Sequence, residues 1–544
     1  MCSSYFSSLV PTMTTTSLFL PLTPPQAYAS ITDDHGLERP TLTRQLGCNE
    51  LSYYLPSRAD GVNDMYLHLG FHAPSELITP PRVHAIWATQ RLKHPLLASR
   101  IETGPDASCA RFEYVVPETV EEAIQLAAEE LSMISSSKDD LLSNYLNGPR
   151  LLSAMRTSFL IIARDPEHDH QWHLMLCAMH CIGDGMALHT CANEMLLLLG
   201  VGGEMDALRQ LVASQLDKII DLPRSMEAAL PAFSNKFGRA IAMVDDKLLV
   251  AKQIGGQAFP KTKGLDRKTV VPTVSFDEDR TKRILSHCKA NGVSVSSAIF
   301  ALCNIAWARM LARGSVSAEM GAKLPILMYT ALNTRPWLDQ ASKEESFFRL
   351  NIGYFNVILP SFVPSDSASV HQIFWHRARL VREQSSSAVK SPFIVARTQI
   401  TAHKREEQAI KWAKIDDEEA AKRTGLLTPV LTPVKEHQPA LPSVHVQTST
   451  APPALKPAPS TALMGLSLLG NLDGIYKHAS YGAIKLTELT TGSRQRAGAM
   501  LLFSYTFVGK LWLCFGYDEN GFERGVVEEF WNELLHGVDE ILGA

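Results

Sequence analysis

Several features that would settle the class of this chain at once are missing from it. Its nine cysteines are odd in number, scattered from Cys2 to Cys514, and include no Cys-x-x-Cys pair. That argues against a disulfide framework or a zinc ribbon, and it predicts reduced thiols in an intracellular protein with no structural metal. Charge of one sign is lacking as well. The 52 basic and 56 acidic side chains leave a net −4, which provides no field to steer a polyanion, so small molecules are the expected partners and nucleic acid is not. No run of about 18 consecutive apolar residues occurs, the longest candidate being the amphipathic stretch around Leu196 to Leu199, and no spanning helix is expected. The Ser-, Thr- and Pro-rich stretch from Met1 to Gln26 has no basic residue before Leu18-Phe-Leu and no convincing cleavage site. The final Ile-Leu-Gly-Ala is no address tripeptide, which leaves a cytoplasmic protein as the expectation.

What is present is enough apolar content, 45% of 544 residues, to bury more than one compact lobe. Residues 1–40 read as a disordered leader, 41–235 as an N-terminal lobe, and 236–268 as a linker or crossover. A C-terminal lobe is expected over 269–400 and 461–544, interrupted by a flexible insertion at 401–460 that is charged and then Pro-rich. Helical spacing of Val83, Ile86 and Trp87 predicts a helix over Pro81 to Leu92 that feeds a strand ending near Ile101. Strands are predicted at Thr157 to Ala163 and Trp172 to Met179, then a helix from Met186 to Leu199 that Gly200 and Gly202 end. In the second half, Val270 to Phe276 reads as a strand. Val295 to Leu311 reads as a long buried helix with small residues at Ser297, Ala298, Ala301 and Ala306. Leu324 to Leu332, Asn351 to Leu359 and the two arms around Val508-Gly-Lys510 complete the strands. Strands and helices interleave in both halves, the pattern of an α/β protein.

Chemistry concentrates where the second strand meets the following helix, at His180-Cys-Ile-Gly-Asp184-Gly185. If the strand is regular, His180 shares a face with Trp172, Leu174, Leu176 and Ala178 and points to an apolar interior. An imidazole held there is neutral near pH 7, the state that accepts a proton from a hydroxyl, amine or thiol. Gly183 and Gly185 can supply backbone angles closed to other residues, and Asp184 can cap the helix or pair with an arginine. Cys177, Cys181 and Cys191 crowd the motif but read as small buried hydrophobes. His173, on the opposite strand face, and His189, inside the helix, have poor geometry for joining His180 on a metal.

This hexapeptide resembles the His-x-x-x-Asp-Gly signature of the acyltransferase superfamily that includes chloramphenicol acetyltransferase, carnitine acyltransferases, the plant BAHD group, fungal alcohol and trichothecene acetyltransferases, and nonribosomal-peptide condensation domains. The resemblance runs through most of the chain. It takes in Leu46-Gly-Cys-Asn-Glu50, the helix-strand unit from Trp87 to Ile101, the helix at Val295, Asn333-Thr-Arg-Pro-Trp337, Gly353-Tyr-Phe-Asn356, Ser467-Leu-Leu-Gly-Asn471 and Phe515-Gly-Tyr-Asp-Glu-Asn520. It implies two chloramphenicol-acetyltransferase-like lobes, each a mixed sheet with packed helices, meeting at a tunnel. His180 and Asp184 would be the catalytic motif pair, the aspartate mainly structural and bonded to an arginine, for which Arg335 is the candidate.

Met179 stands where condensation domains have a first histidine, and the plant group's Asp-Phe-Gly-Trp-Gly is absent, its nearest counterpart being Phe515-Gly-Tyr517. The fungal alcohol acetyltransferases are therefore the nearest branch. The implied reaction is direct transfer from acyl-coenzyme A, a co-substrate and not a resident cofactor, to a small-molecule alcohol, by a monomer. Asn333, Asn356, Ser467 and Tyr505 are candidate substrate-binding residues, the last three also candidate donors to the oxyanion. A free-standing condensation enzyme using a carrier-bound donor and a non-catalytic binding relative are the alternatives.

Overall fold

In this computed structural model, residues 28–32, 38–104, 106–201, 204–218, 221–231, 235–316, 323–423 and 459–543 are described. The strands are β1 (Tyr28–Thr32), β2 (Glu38–Gln45), β3 (Met65–His72), β4 (Arg100–Glu102), β5 (Arg111–Val115), β6 (Leu131–Ser135), β7 (Ser158–Arg164) and β8 (Gln171–Ala178). They continue with β9 (Thr269–Val270), β10 (Thr273–Phe276), β11 (Ile326–Asn333), β12 (Ile352–Leu359), β13 (Ala462–Asn471), β14 (Lys485–Ser493), β15 (Met500–Phe507) and β16 (Lys510–Asp518). The helices that position the site are α1 (Cys48–Ser57), α2 (Pro80–Lys93), α3 (Lys138–Asn147), α4 (Gly185–Gly200), α5 (Lys236–Ala251), α6 (Val295–Arg313) and α7 (Ile394–Arg423).

Two lobes result, each a mixed α/β layer. The first holds the five-stranded sheet β14-β3-β8-β7-β6 and the small sheet β1-β2-β5-β4 around one apolar core. The second holds a seven-stranded sheet in the order β10-β16-β15-β13-β11-β12, with β9 also on β16, around another core. In β8 the alternation is strict: Leu174 and Leu176 pair with Leu69 and Leu67 of β3 on one face, while His173 and Met175 stand on the other. Helix α6 is buried almost all round, as its small residues predicted. Ser294 caps it by accepting from the Ser297 N–H, and Gly314, at φ 74°, ends it in a left-handed conformation that favours glycine. It is also long and apolar enough to cross a membrane by composition, but 72% of its most apolar window is buried in the second lobe.

Four expected segments fold otherwise. Residues 28–32 and 38–40, assigned to the leader, are in strands, β1 pairing antiparallel with β2. Residues 236–251, read as linker, form α5, whose Asp245 is paired with Arg397 at 2.6 Å. Residues 401–423, read as the start of a flexible insertion, complete the 30-residue α7. Ala402, Ala409 and Ala413 are buried on one face of α7, spaced to lie along one helical stripe, and small enough to bring it close against α1. The charged residues around that stripe hid it in the sequence; the Pro-rich remainder from 424 to 458 lies outside the described residues.

The fourth difference is topological. Residues 485–493, placed in the second lobe, form β14 at the edge of the first lobe's sheet, with Leu489 opposite Leu69 and Thr490 opposite His68. The two lobes are thereby stitched together, and Tyr505 of β15 reinforces the stitch by donating its hydroxyl to the Leu489 carbonyl at 2.6 Å.

Candidate active site

Strand β8 stops at Ala178, and His180 sits in the turn that leads into α4. Strand parity therefore does not aim its ring. The aim comes from the turn itself, closed by the Ile182 N–H on the Met179 carbonyl at 3.1 Å, and from a bond between His180 Nδ1 and the Gly183 carbonyl at 3.0 Å. A carbonyl can only accept, so Nδ1 carries the proton and Nε2 of the neutral ring keeps its lone pair. Tyr53 of α1 stacks on the imidazole with centroids 4.1 Å apart and planes 24° from parallel. Burial lowers the His180 pKa to about 4, with the nearby Arg405 guanidinium acting in the same direction, against the opposing pull of Asp184 and the bond to Gly183. The same burial favours the neutral imidazole expected at pH 7.

Asp184 is fully committed. Its Oδ1 caps α4 by accepting from the Ala187 N–H at 3.1 Å, and its Oδ2 accepts from Arg335 Nη1 at 3.0 Å and from the Asn351 N–H at 2.8 Å. The same carboxylate therefore does both jobs considered for it, and it ties the motif of one lobe to the second. Arg335 in turn donates from Nη2 to the carbonyls of Phe347 and Arg349 at 3.3 and 3.2 Å, which sets the loop behind the motif. Neither glycine has a positive φ, so unusual backbone angles are not what they supply, and only at Gly183 does space require the missing side chain. A Cβ at Gly183 would lie 2.8 Å from the Phe348 ring, whereas one at Gly185 would meet only Leu469 at 3.5 Å, an ordinary contact.

The remaining candidates separate. Asn333 is exposed and serves its own turn, its Oδ1 accepting from the Arg335 N–H at 3.1 Å. Asn356 donates to Gln253 Oε1 at 2.8 Å, just past the end of α5. Ser467 alternates with Leu466 and Leu468, which pack in the second core, so it faces the first lobe as does Leu469 beside Gly185. Tyr505 is corrected: it is buried, its hydroxyl is spent on Leu489, and it braces the lobes where an oxyanion donor was expected. Tyr505→Phe is accordingly expected to cost about 0.5–1.5 kcal/mol of unfolding free energy in urea. Catalytic turnover should stay near wild type; loss of an oxyanion donor would instead lower it by about 10²- to 10³-fold.

Three residues at the site were not picked out in the sequence. The Tyr53 and Tyr354 hydroxyls, from α1 and β12, are hydrogen-bonded to each other, and the Arg405 guanidinium lies over both rings at 5.0 and 4.8 Å. Arg405 comes from the part of α7 that had been read as insertion, no local pattern marks Tyr53, and Tyr354 lies inside Gly353-Tyr-Phe-Asn356 without being singled out there. Cys177, Cys181 and Cys191 are buried with thiols pushed well up by burial, which agrees with their reading as small hydrophobes. Clefts of about 520 Å³, beside Leu285 and Arg382, and about 160 Å³, beside Arg91 and Met155, lie on outer flanks and are not bounded by His180.

Two lobes of this design are also the fold of solved acetyltransferase and condensation-domain structures. The trichothecene 15-O-acetyltransferase TRI3 from Fusarium sporotrichioides is similar to this chain over 97% of its length and 99% of its own, with a TM-score of 0.69 at 13% identity. The first condensation domain of the calcium-dependent antibiotic synthetase aligns over 92% and 97% of the two chains, TM-score 0.56, 12% identity. The EpoB cyclization-docking bidomain from Sorangium cellulosum aligns over 92% and 85%, TM-score 0.52, 12% identity. No family model and no curated protein matches the sequence. At these identities the likeness is one of fold, an acyltransferase-type fold.

Proposed function

We propose that this chain is an acyl-coenzyme-A-dependent O-acyltransferase that moves an acetyl or other short or medium acyl group to a hydroxyl of a secondary metabolite or glycolipid. The observation that carries this is the His180 imidazole, held neutral by burial, with Nδ1–H tied to Gly183 and Nε2 left as the basic atom. In the proposed reaction Nε2 takes the hydroxyl proton as the alcohol oxygen attacks the thioester carbonyl. The tetrahedral intermediate then collapses, the C–S bond breaks, and the imidazolium returns the proton to the departing thiolate. No acyl-enzyme forms. Holding donor and acceptor together away from water suits a thioester, for which hydrolysis competes. Ser467 is the remaining candidate for the oxyanion on grounds of the face it occupies.

Release of free thiol from acetyl-, butanoyl- and longer acyl-coenzyme A, with pooled sesquiterpenoid, glycolipid and simple alcohol acceptors, tests the reading. Acceptor-dependent release supports it. Activity only with a carrier-bound donor and an amine would move the chain to condensation chemistry, and an inactive wild type with every donor would count against both.

A distinct pH profile follows from the same burial. Protonation at Nε2 removes the base, so kcat/KM should fall as pH drops through about 4 and stay level from pH 5 to 7. An inflection near 6.5, where an exposed imidazole titrates, would show that His180 in the free enzyme is not the desolvated group described.

A further inference from the structure

A second histidine cluster lies on the far face of the first lobe's sheet, in a row across three strands. Gly70 of β3 is in register with Glu488 of β14 on one side and His173 of β8 on the other, and His68 stands two residues along β3 on the same face. The glycine leaves a hollow that Glu488 enters: a Cβ at position 70 would meet Glu488 Cγ at 2.6 Å and Oε1 at 2.8 Å. His68 Nε2 and His173 Nδ1 approach to 3.0 Å, and one ligand atom each from His68, His173 and Glu488 falls within 4.8 Å of the others.

The outer nitrogens of both rings are already held. His173 Nε2 is 3.1 Å from Asp165 Oδ2, which can only accept while ionised, so the proton is on Nε2 and the inward Nδ1 bears a lone pair. His68 Nδ1 is 3.3 Å from the Thr490 hydroxyl, which can accept its proton and turn a second lone pair inward. With Thr490 accepting from His68 Nδ1, two imidazole lone pairs face inward beside a carboxylate, a donor set open to a cation. We infer that His68, His173 and Glu488 form a binding site for one divalent transition-metal ion of the zinc class, with Asp165 and Thr490 orienting the two imidazoles. Two imidazole nitrogens and a carboxylate oxygen are a common donor set for such an ion, and a carboxylate on the outer nitrogen of a ligating histidine is its usual support.

Glu488 is shared with Lys138 of α3 at 2.8 Å and retains 23% of its side-chain exposure, so the hollow has a route to solvent. An ion there would clamp the crossover strand β14 to β3 and β8. It is separate from the chemistry at His180 and reverses the expectation of no structural metal. The sequence concealed it because His68, His173 and Glu488 come from three distant segments that only sheet pairing brings together.

The test uses the full chain, stripped with a chelator and titrated with Zn²⁺ in competition with a chromophoric chelator. One equivalent per chain is expected, with a higher melting temperature in its presence. Glu488→Gln and His173→Gln should abolish that binding, and the near-isosteric glutamine at 488 serves should the histidine variant fail to fold. Asp165→Asn, which leaves all three ligands in place, should weaken binding by about 10- to 100-fold. The other convergent group among the described residues, Cys48, His403 and Glu406, provides the control, and Cys48→Ser should bind as wild type. Absence of binding by the wild type, as when a shared proton alone joins the imidazoles, would overturn the assignment, as would binding that survives Glu488→Gln or is lost in Cys48→Ser.

Discussion

Replacing His180 with alanine is expected to lower acceptor-dependent thiol release by about 10²- to 10⁴-fold, the range that general-base assistance supplies. The loss should fall on kcat, because in the proposed reaction the imidazole takes a proton only as the alcohol attacks, whereas ground-state contacts with either substrate would be left in place. Folding should be little affected. The ring gives up a single hydrogen bond, to the Gly183 carbonyl, and a stacked contact with Tyr53, and the turn keeps its own backbone bond between Ile182 and Met179. Steady-state kinetics and a melting curve on the same preparation read both quantities. Equal rates in the two proteins would remove His180 as the base, and a melting temperature that collapses with the rate would reduce the residue to a packing role.

The second large effect is on stability and belongs to Asp184. Its side chain is almost completely buried, and truncation to alanine strips three donors at once: the Ala187 N–H, the Asn351 N–H and Arg335 Nη1. Breaking a buried pair by removing one partner costs about 3–5 kcal/mol, because the charge left behind remains desolvated. Arg335 retains 23% side-chain exposure and two carbonyl acceptors, which places the expected loss at the lower end of that range. Asp184→Asn should lose less, since its carbonyl oxygen can still cap α4. Urea unfolding gives the difference as a shift in midpoint at constant slope. If Asp184→Ala unfolded like wild type yet lost its activity, the carboxylate would have a direct part in the chemistry; the geometry assigns it to positioning.

The two residues also mark how far the sequence could be read. A hydrophobic strand, a Gly-Asp-Gly turn and a helix start form a local pattern, so the place of the histidine and the two alternative uses of Asp184 could be named, though not that it serves both at once. Arg335 was found through resemblance, because nothing local links positions 184 and 335. Tyr53 and Arg405 gave no signal, each being one polar side chain in an ordinary element, and Tyr354 entered only as part of Gly353-Tyr-Phe-Asn356. Arg405 was further obscured by the charge of its surroundings, where only the alanine stripe betrays a packed helix. Tyr505 was misassigned for the same kind of reason: a strand tyrosine can face a substrate or a neighbouring strand, and its acceptor is the carbonyl of Leu489, on a segment expected in the second lobe that pairs with the first.

By itself, then, the sequence determined the interleaving of strands and helices, the buried character of α6, and the motif that carries His180. These depend on periodicity, capping and turn chemistry within a few residues of one another. The tertiary structure alone decided that β14 crosses to the first lobe, that α7 lies on α1, and that Tyr53 and Arg405 reach His180. It alone brought His68, His173 and Glu488 around Gly70. Such contacts join residues hundreds of positions apart, and what selects them is the burial of whole faces and the register of whole strands, quantities that no short stretch of chain contains.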